Sequence, residues 1–74
     1  MDRLAGIEST FQRQVRDAGD LYDHRMRFDG WEDRPLPKLY QCTGCGATAM
    51  LYDSDGRTVS EVDPRLHARC VQAP

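Results

Sequence analysis

The sequence predicts a small α+β domain: a long N-terminal helix, then a cross-linked C-terminal half made of a tight knuckle, a β-hairpin and a short helix. Three observations predict it. At 74 residues the chain is too short to be stabilised comfortably by apolar burial alone, so a staple is expected. Its first third carries apolar residues at helical spacing. Its last half contains all three cysteines, two of them in "CTGCG" and the third in "HARC", each pair of potential ligands three residues apart.

The helix comes first. Leu4, Ile7, Phe11, Val15, Ala18, Tyr22 and Met26 are separated by 3, 4, 4, 3, 4 and 4 residues, which places them on one face of an α-helix. The pattern repeats every eleven residues, close to the natural pitch, so the stripe runs nearly straight. Arg13, Arg16, Asp17, Asp20, Asp23 and Arg27 fill the opposite face, and Gly30 in "FDGW" supplies a stop. Residues 1–30 are therefore read as one amphipathic helix, with Gly6 and Gly19 each weakening it by roughly 1 kcal/mol against alanine. His24 falls among its charges and reads as a solvated surface histidine.

Residues 31–38, "WEDRPLPK", hold two prolines and read as an extended connector. Residues 39–74 form the cross-linked half. "ATAMLY" and "RTVSEV" have strand composition, and "DSDG" between them is a turn in which Gly56 suits a positive φ. "VDPRLHARC" then opens a short helix, with Asp63 as its cap and Pro64 at its first position.

The chemistry lies in the pattern C-x2-C-x21-H-x2-C. A Cys-x2-Cys turn points two sulfurs at one centre, while a neighbouring glycine such as Gly44 or Gly46 frees backbone N–H groups to bond the thiolates. His67 and Cys70, at i and i+3 of a helix, share a face. Cys42, Cys45, His67 and Cys70 then form a C2HC set of three thiolates and one imidazole, which suits one tetrahedral zinc, and four protein ligands leave no open position for a reactive water. The zinc is expected to be structural. The bland alternatives are a redox dithiol at Cys42 and Cys45 beside an ordinary histidine, or an iron–sulfur cluster, which prefers thiolates throughout.

Catalytic signatures fail. "DSDG" begins like a calcium loop, but the glycine follows Asp55 directly and Val62 stands where a glutamate is required. "EVDPRLH" faintly resembles a metal-dependent nuclease motif, yet Pro64 occupies the place of its histidine. With no open metal position and no base beside a nucleophile, an enzyme is not expected.

On "CTGCG", "HARC" and the element order, the C-terminal half resembles a treble-clef-like zinc finger of the C2HC kind. More loosely, a helical segment ahead of a C-x2-C-G finger is similar to the DksA/TraR-type regulators of bacterial RNA polymerase, whose second pair is normally two cysteines. That likeness implies a bacterial, transcription-related regulator.

Partners follow from charge and apolar surface. Ten basic residues meet twelve acidic ones for a net charge of −2. No apolar run approaches the ~20 residues of a membrane-spanning helix. Reduced thiols, and the lack of a signal-like N-terminus, point to the cytoplasm. Ile7, Phe11, Val15 and Tyr22 are many apolar side chains to leave wet. They are expected to serve a protein partner or self-association, or to pack on the chain's own finger against Leu39, Leu51, Val59 or Trp31. The first of these makes the protein an interaction adaptor or regulator. The alternative is nucleic-acid binding through Lys38, Arg57, Arg65 and Arg69, although four acidic residues in the same half offset them. A thiol switch that releases zinc on oxidation uses the same cysteines.

Overall fold

The structure is a computed structural model that describes residues 3–30, 33 and 36–71. One helix, α1 (Arg3–Tyr22), precedes four strands, β1 (Met26–Phe28), β2 (Lys38–Cys42), β3 (Thr48–Ser54) and β4 (Arg57–Val62), and a single 3-10 turn closes the order at Pro64–His67. The strands form one antiparallel sheet in the order β1-β2-β3-β4, and α1 packs across one of its faces.

The helix ends earlier than its periodicity implies. Asp23 adopts φ 60, a left-handed conformation that aspartate tolerates better than most residues. The His24 N–H then turns back to donate to the Ala18 carbonyl at 3.0 Å. The chain reverses here instead of at Gly30, and residues 26–28 become an edge strand. Met26 still faces the core, because Met26 and Phe28 alternate with Arg27 in period two. The sequence "MRF" thus satisfies a strand and the tail of a helical stripe equally well.

Helix α1 buries its stripe on its own sheet. Phe11, Val15 and Ala18 join Cys42, Ala47, Ala49, Leu51 and Leu66 in the core, with Ile7, Met26, Leu36, Tyr40 and Val62 packed around them. Phe11 and Phe28 flank Tyr40 at ring distances of 5.9 and 5.1 Å in tilted geometry. Glu8 forms an ion pair with Lys38 at the start of β2. Of the two expectations for this stripe, packing on the chain's own C-terminal half is the one the structure shows, and the partner-facing one is corrected: Phe11 and Val15 are buried inside the chain, Ile7 packs beside them, and Tyr22 is half-buried at the helix end. Of the expected packing partners Leu51 is in this core, whereas Leu39 and Val59 alternate onto the other face of the sheet and Trp31 lies outside the described residues.

The hairpin turn is built as its residues dictate. Asp55 and Gly56 both have positive φ, 52 and 76, the signature of the two-residue type I′ turn that matches strand twist. Ser54 pairs with Arg57 and the register continues to Ala49 opposite Val62. Lys38, expected in the connector, opens β2.

The C-terminal helix is reduced to one turn. The Asp63 side chain caps it by accepting from the Arg65 N–H at 2.9 Å, and Pro64 takes the first position as expected. Ala68 then goes extended (φ −137, ψ 163), so residues 68–71 run out as coil. Cys70 is not on a helix, and the i, i+3 argument that joined it to His67 loses its basis.

Candidate metal centre

Four donor side chains converge where the end of α1, the β2–β3 connection and the C-terminal coil meet. His24, Cys42, Cys45 and Cys70 each offer a ligand atom, and these atoms all lie within 4.8 Å of one another.

Each donor is set by its local backbone. Cys42 ends β2 and Cys45 follows in the turn "CTGC". The knuckle is closed by the Gly46 N–H donating to the Cys42 carbonyl at 3.0 Å and the Cys42 N–H to the Ala47 carbonyl at 2.8 Å. Gly46 needs φ 81 for this, a region that costs an L residue ~1–2 kcal/mol. The N–H groups of Gly44 and Arg25, each 3.4 Å away, point at the Cys42 sulfur. Cys70 is held by its own N–H, which donates to the Tyr22 carbonyl at 2.8 Å and so pins the C-terminal coil to the end of α1.

His24 is almost fully buried at 5% exposure. Its Nε2 lies 3.0 Å from the Arg65 carbonyl and 2.7 Å from the Ala68 carbonyl. Carbonyls only accept, so Nε2 carries a proton, and in the neutral ring Nδ1 keeps its lone pair. Nδ1 faces the Cys45 sulfur at 3.5 Å. A metal-binding histidine typically donates its second ring N–H to a carbonyl or carboxylate in this way, fixing tautomer and orientation.

Two of the separations match the edges of a tetrahedral site. Zinc bonds of ~2.3 Å to sulfur and ~2.0 Å to nitrogen place two sulfurs ~3.8 Å apart and a sulfur and nitrogen ~3.5 Å apart. The Cys42 and Cys70 sulfurs are 3.6 Å apart, and the Cys45 sulfur is 3.5 Å from Nδ1. All three cysteines are free thiols.

The electrostatics ask for a cation. Burial works against charge at Cys42, but hydrogen bonds from the Cys45, Arg25 and Gly44 backbones and from His24 outweigh it and bring its thiol down to about 5. Burial and the neighbouring Cys42 and Cys45 sulfurs push Cys70 up to about 11. One thiolate forms readily, and another beside it is opposed until positive charge arrives. For His24, burial opposes the cationic ring, yet hydrogen bonds with Cys42, Ala68 and Cys45 raise its pKa.

The structure thus brings together Cys42, Cys45 and Cys70 from the expected set and leaves His67 out. His67 is exposed and lines a groove beside Ile7 and Val62. The donor set remains three sulfurs and one imidazole, but the imidazole comes from His24, which the sequence places on a solvated helix face. The signal that misled was the stripe running on to Met26; the alternation Met26, Arg27, Phe28 was the signal that could have moved His24 off the helix.

Three of the four basic residues considered for nucleic acid are in ion pairs. Lys38 pairs with Glu8, Arg65 with Asp63 and Arg69 with Asp23, while Arg57 is exposed at the hairpin turn. No helix among the described residues is long and apolar enough to cross a membrane.

Fold and site together define a small α+β protein with a candidate metal centre of one histidine and three cysteines. Compared with protein-family models, curated proteins and solved structures, the chain shows no significant match.

Proposed function

We propose that this is a zinc-binding protein in which His24, Cys42, Cys45 and Cys70 hold one structural ion, and that it acts as an interaction module or regulator and not as an enzyme. The observation that carries the reading is the convergence of four donors, drawn from three separate stretches of chain, within 4.8 Å of one another. Four protein ligands close the coordination sphere, so the ion supplies folding energy and no reactive site. An interaction role is preferred over nucleic-acid binding because ten basic residues against twelve acidic ones leave no excess of positive charge to drive phosphate binding. A cytoplasmic setting, where thiols stay reduced, belongs to the same proposal.

Native mass spectrometry and cobalt substitution test it. One zinc per chain is expected, and cobalt is expected to give the intense visible bands of a tetrahedral thiolate site. Chelation should abolish the cooperative melt followed by circular dichroism. A chain that melts identically with and without chelator, or binds cobalt octahedrally, overturns the proposal.

A further inference from the structure

The two edges of the sheet differ. β1 has three residues, too few to template another strand, whereas β4 has six, "RTVSEV", without proline. The β3–β4 register fixes which backbone groups of β4 look outward. A two-residue turn makes Ser54 and Arg57 a hydrogen-bonded pair, and the bonded pairs recur at every second residue. Tyr52 with Val59 and Met50 with Glu61 are then bonded pairs, and Thr58, Ser60 and Val62 aim their N–H and C=O groups away from the sheet. Among the described residues no backbone group bonds to them. A long, unpaired edge of this kind invites pairing unless its side chains prevent it.

The side chains of β4 favour a second copy of the same strand. Arg57, Val59 and Glu61 alternate onto the outer face of the sheet, beside Tyr52 and Met50. An antiparallel pairing centred on Val59 places Val59 against Val59 of the second copy and Arg57 against Glu61 twice, both in non-hydrogen-bonded positions where side chains approach most closely. The same register sets Thr58 opposite Ser60, so the outward N–H and C=O groups meet each other. Shifting the centre by one residue, to Ser60, would set Glu61 against Val59 and Arg57 against Asp63, which lies beyond β4 with its carboxylate already held by Arg65. Glu61 already orients one oxygen by accepting from the Tyr52 hydroxyl at 3.0 Å, leaving the other for an arginine. On the core-facing side, an open groove of about 740 Å³ runs between β4 and α1, lined by Ile7, Thr10, Gln14, Ser60 and Val62. It gives the Thr58 and Ser60 side chains of an added strand room to enter.

We propose that the protein dimerises through β4, pairing the two edges antiparallel about Val59 into one eight-stranded sheet, with reciprocal Arg57–Glu61 ion pairs selecting the register. One strand pair is a small interface, so the dimer dissociates in the micromolar range or weaker.

Sedimentation equilibrium of the metal-loaded full chain, over a concentration series reaching high micromolar, tests this. The wild type should sediment as a monomer–dimer equilibrium. Arg57→Glu or Glu61→Arg alone turns two attractive pairs into two repulsive ones and should weaken dimerisation by at least about tenfold. The double variant Arg57→Glu with Glu61→Arg should restore it. Both positions are exposed, and metal content and circular dichroism verify that each variant is folded. Ser60→Pro removes an outward N–H that the hairpin does not use and should abolish the dimer while leaving the fold. A wild type that stays monomeric throughout overturns the proposal and leaves the edge to a different chain. So does a dimer that Ser60→Pro leaves intact, or one that a single charge reversal leaves unchanged.

Discussion

Replacing His24 with alanine separates the donor set seen in the structure from the one written in the sequence. A structural zinc in a small fold contributes apparent binding energies of ~10–16 kcal/mol, so one of four donors accounts for ~3 kcal/mol. At ~1.4 kcal/mol per decade, losing Nδ1 should weaken zinc binding by at least ~100-fold. The substitution also strips the ring N–H from the Arg65 and Ala68 carbonyls; both residues are exposed and the Arg65 carbonyl keeps the Ala68 N–H, so this adds only the ~0.5–1.5 kcal/mol of an ordinary lost hydrogen bond. His67→Ala removes an exposed ring and should stay within about twofold of wild type, as surface substitutions do. Competition against a chromophoric chelator measures both affinities, and His24→Cys, which supplies a fourth thiolate at the same corner, should recover much of the loss. The reasoning is refuted if His67→Ala loses zinc and His24→Ala keeps it.

Phe11 is fully buried, so Phe11→Ala should cost ~3–5 kcal/mol, a large part of the stability of a domain this size; denaturant titration of the zinc-loaded protein checks it. Gly46 and Gly6 have nothing within 4 Å of an added Cβ, yet their substitutions should differ in sign. Gly46→Ala forces alanine to φ 81 at ~1–2 kcal/mol, whereas Gly6→Ala in α1 should stabilise by up to ~1 kcal/mol; paired thermal melts decide. Zinc affinity should rise with pH across the neutral range, because protons compete for the ligand atoms. Cys42, at about 5, has already lost its proton there, while Cys70, at about 11, must release one as the metal enters. Each proton released makes the affinity about tenfold higher per pH unit, and a flat profile between pH 6 and 8 contradicts the assignment of Cys70.

The sequence made legible those features whose chemistry is local. The "DSDG" turn, the knuckle of Cys42 and Cys45, the cap by Asp63 and the apolar positions of α1 each follow from a few neighbouring residues, and each stands in the structure. What it hid depends on where the chain reverses. α1 ends at Tyr22, eight residues before Gly30, where Asp23 takes the left-handed conformation, and a lone aspartate marks such a stop far less plainly than a glycine. Met26–Phe28 could therefore continue the helix by spacing while forming β1 by pairing with β2, a partner too distant in sequence to read. The extended Ala68 has the same effect at the other end: without a second helical turn His67 and Cys70 part company, and the imidazole is drawn from a residue 46 positions away from Cys70.

The bond between the Cys70 N–H and the Tyr22 carbonyl, together with the bridge from His24 to residues 65 and 68, makes the chain a closed circuit with the metal centre as its clasp. A segment cut to residues 39–74 would look like a self-sufficient finger, yet it would carry three donors and lack the fourth. The helix and the finger are thus two halves of one lock, and each completes the other only when the first and last thirds of the chain have found each other. Bringing these donors together closes the long loop from His24 to Cys70, and an ion bound there would offset the entropy of that closure.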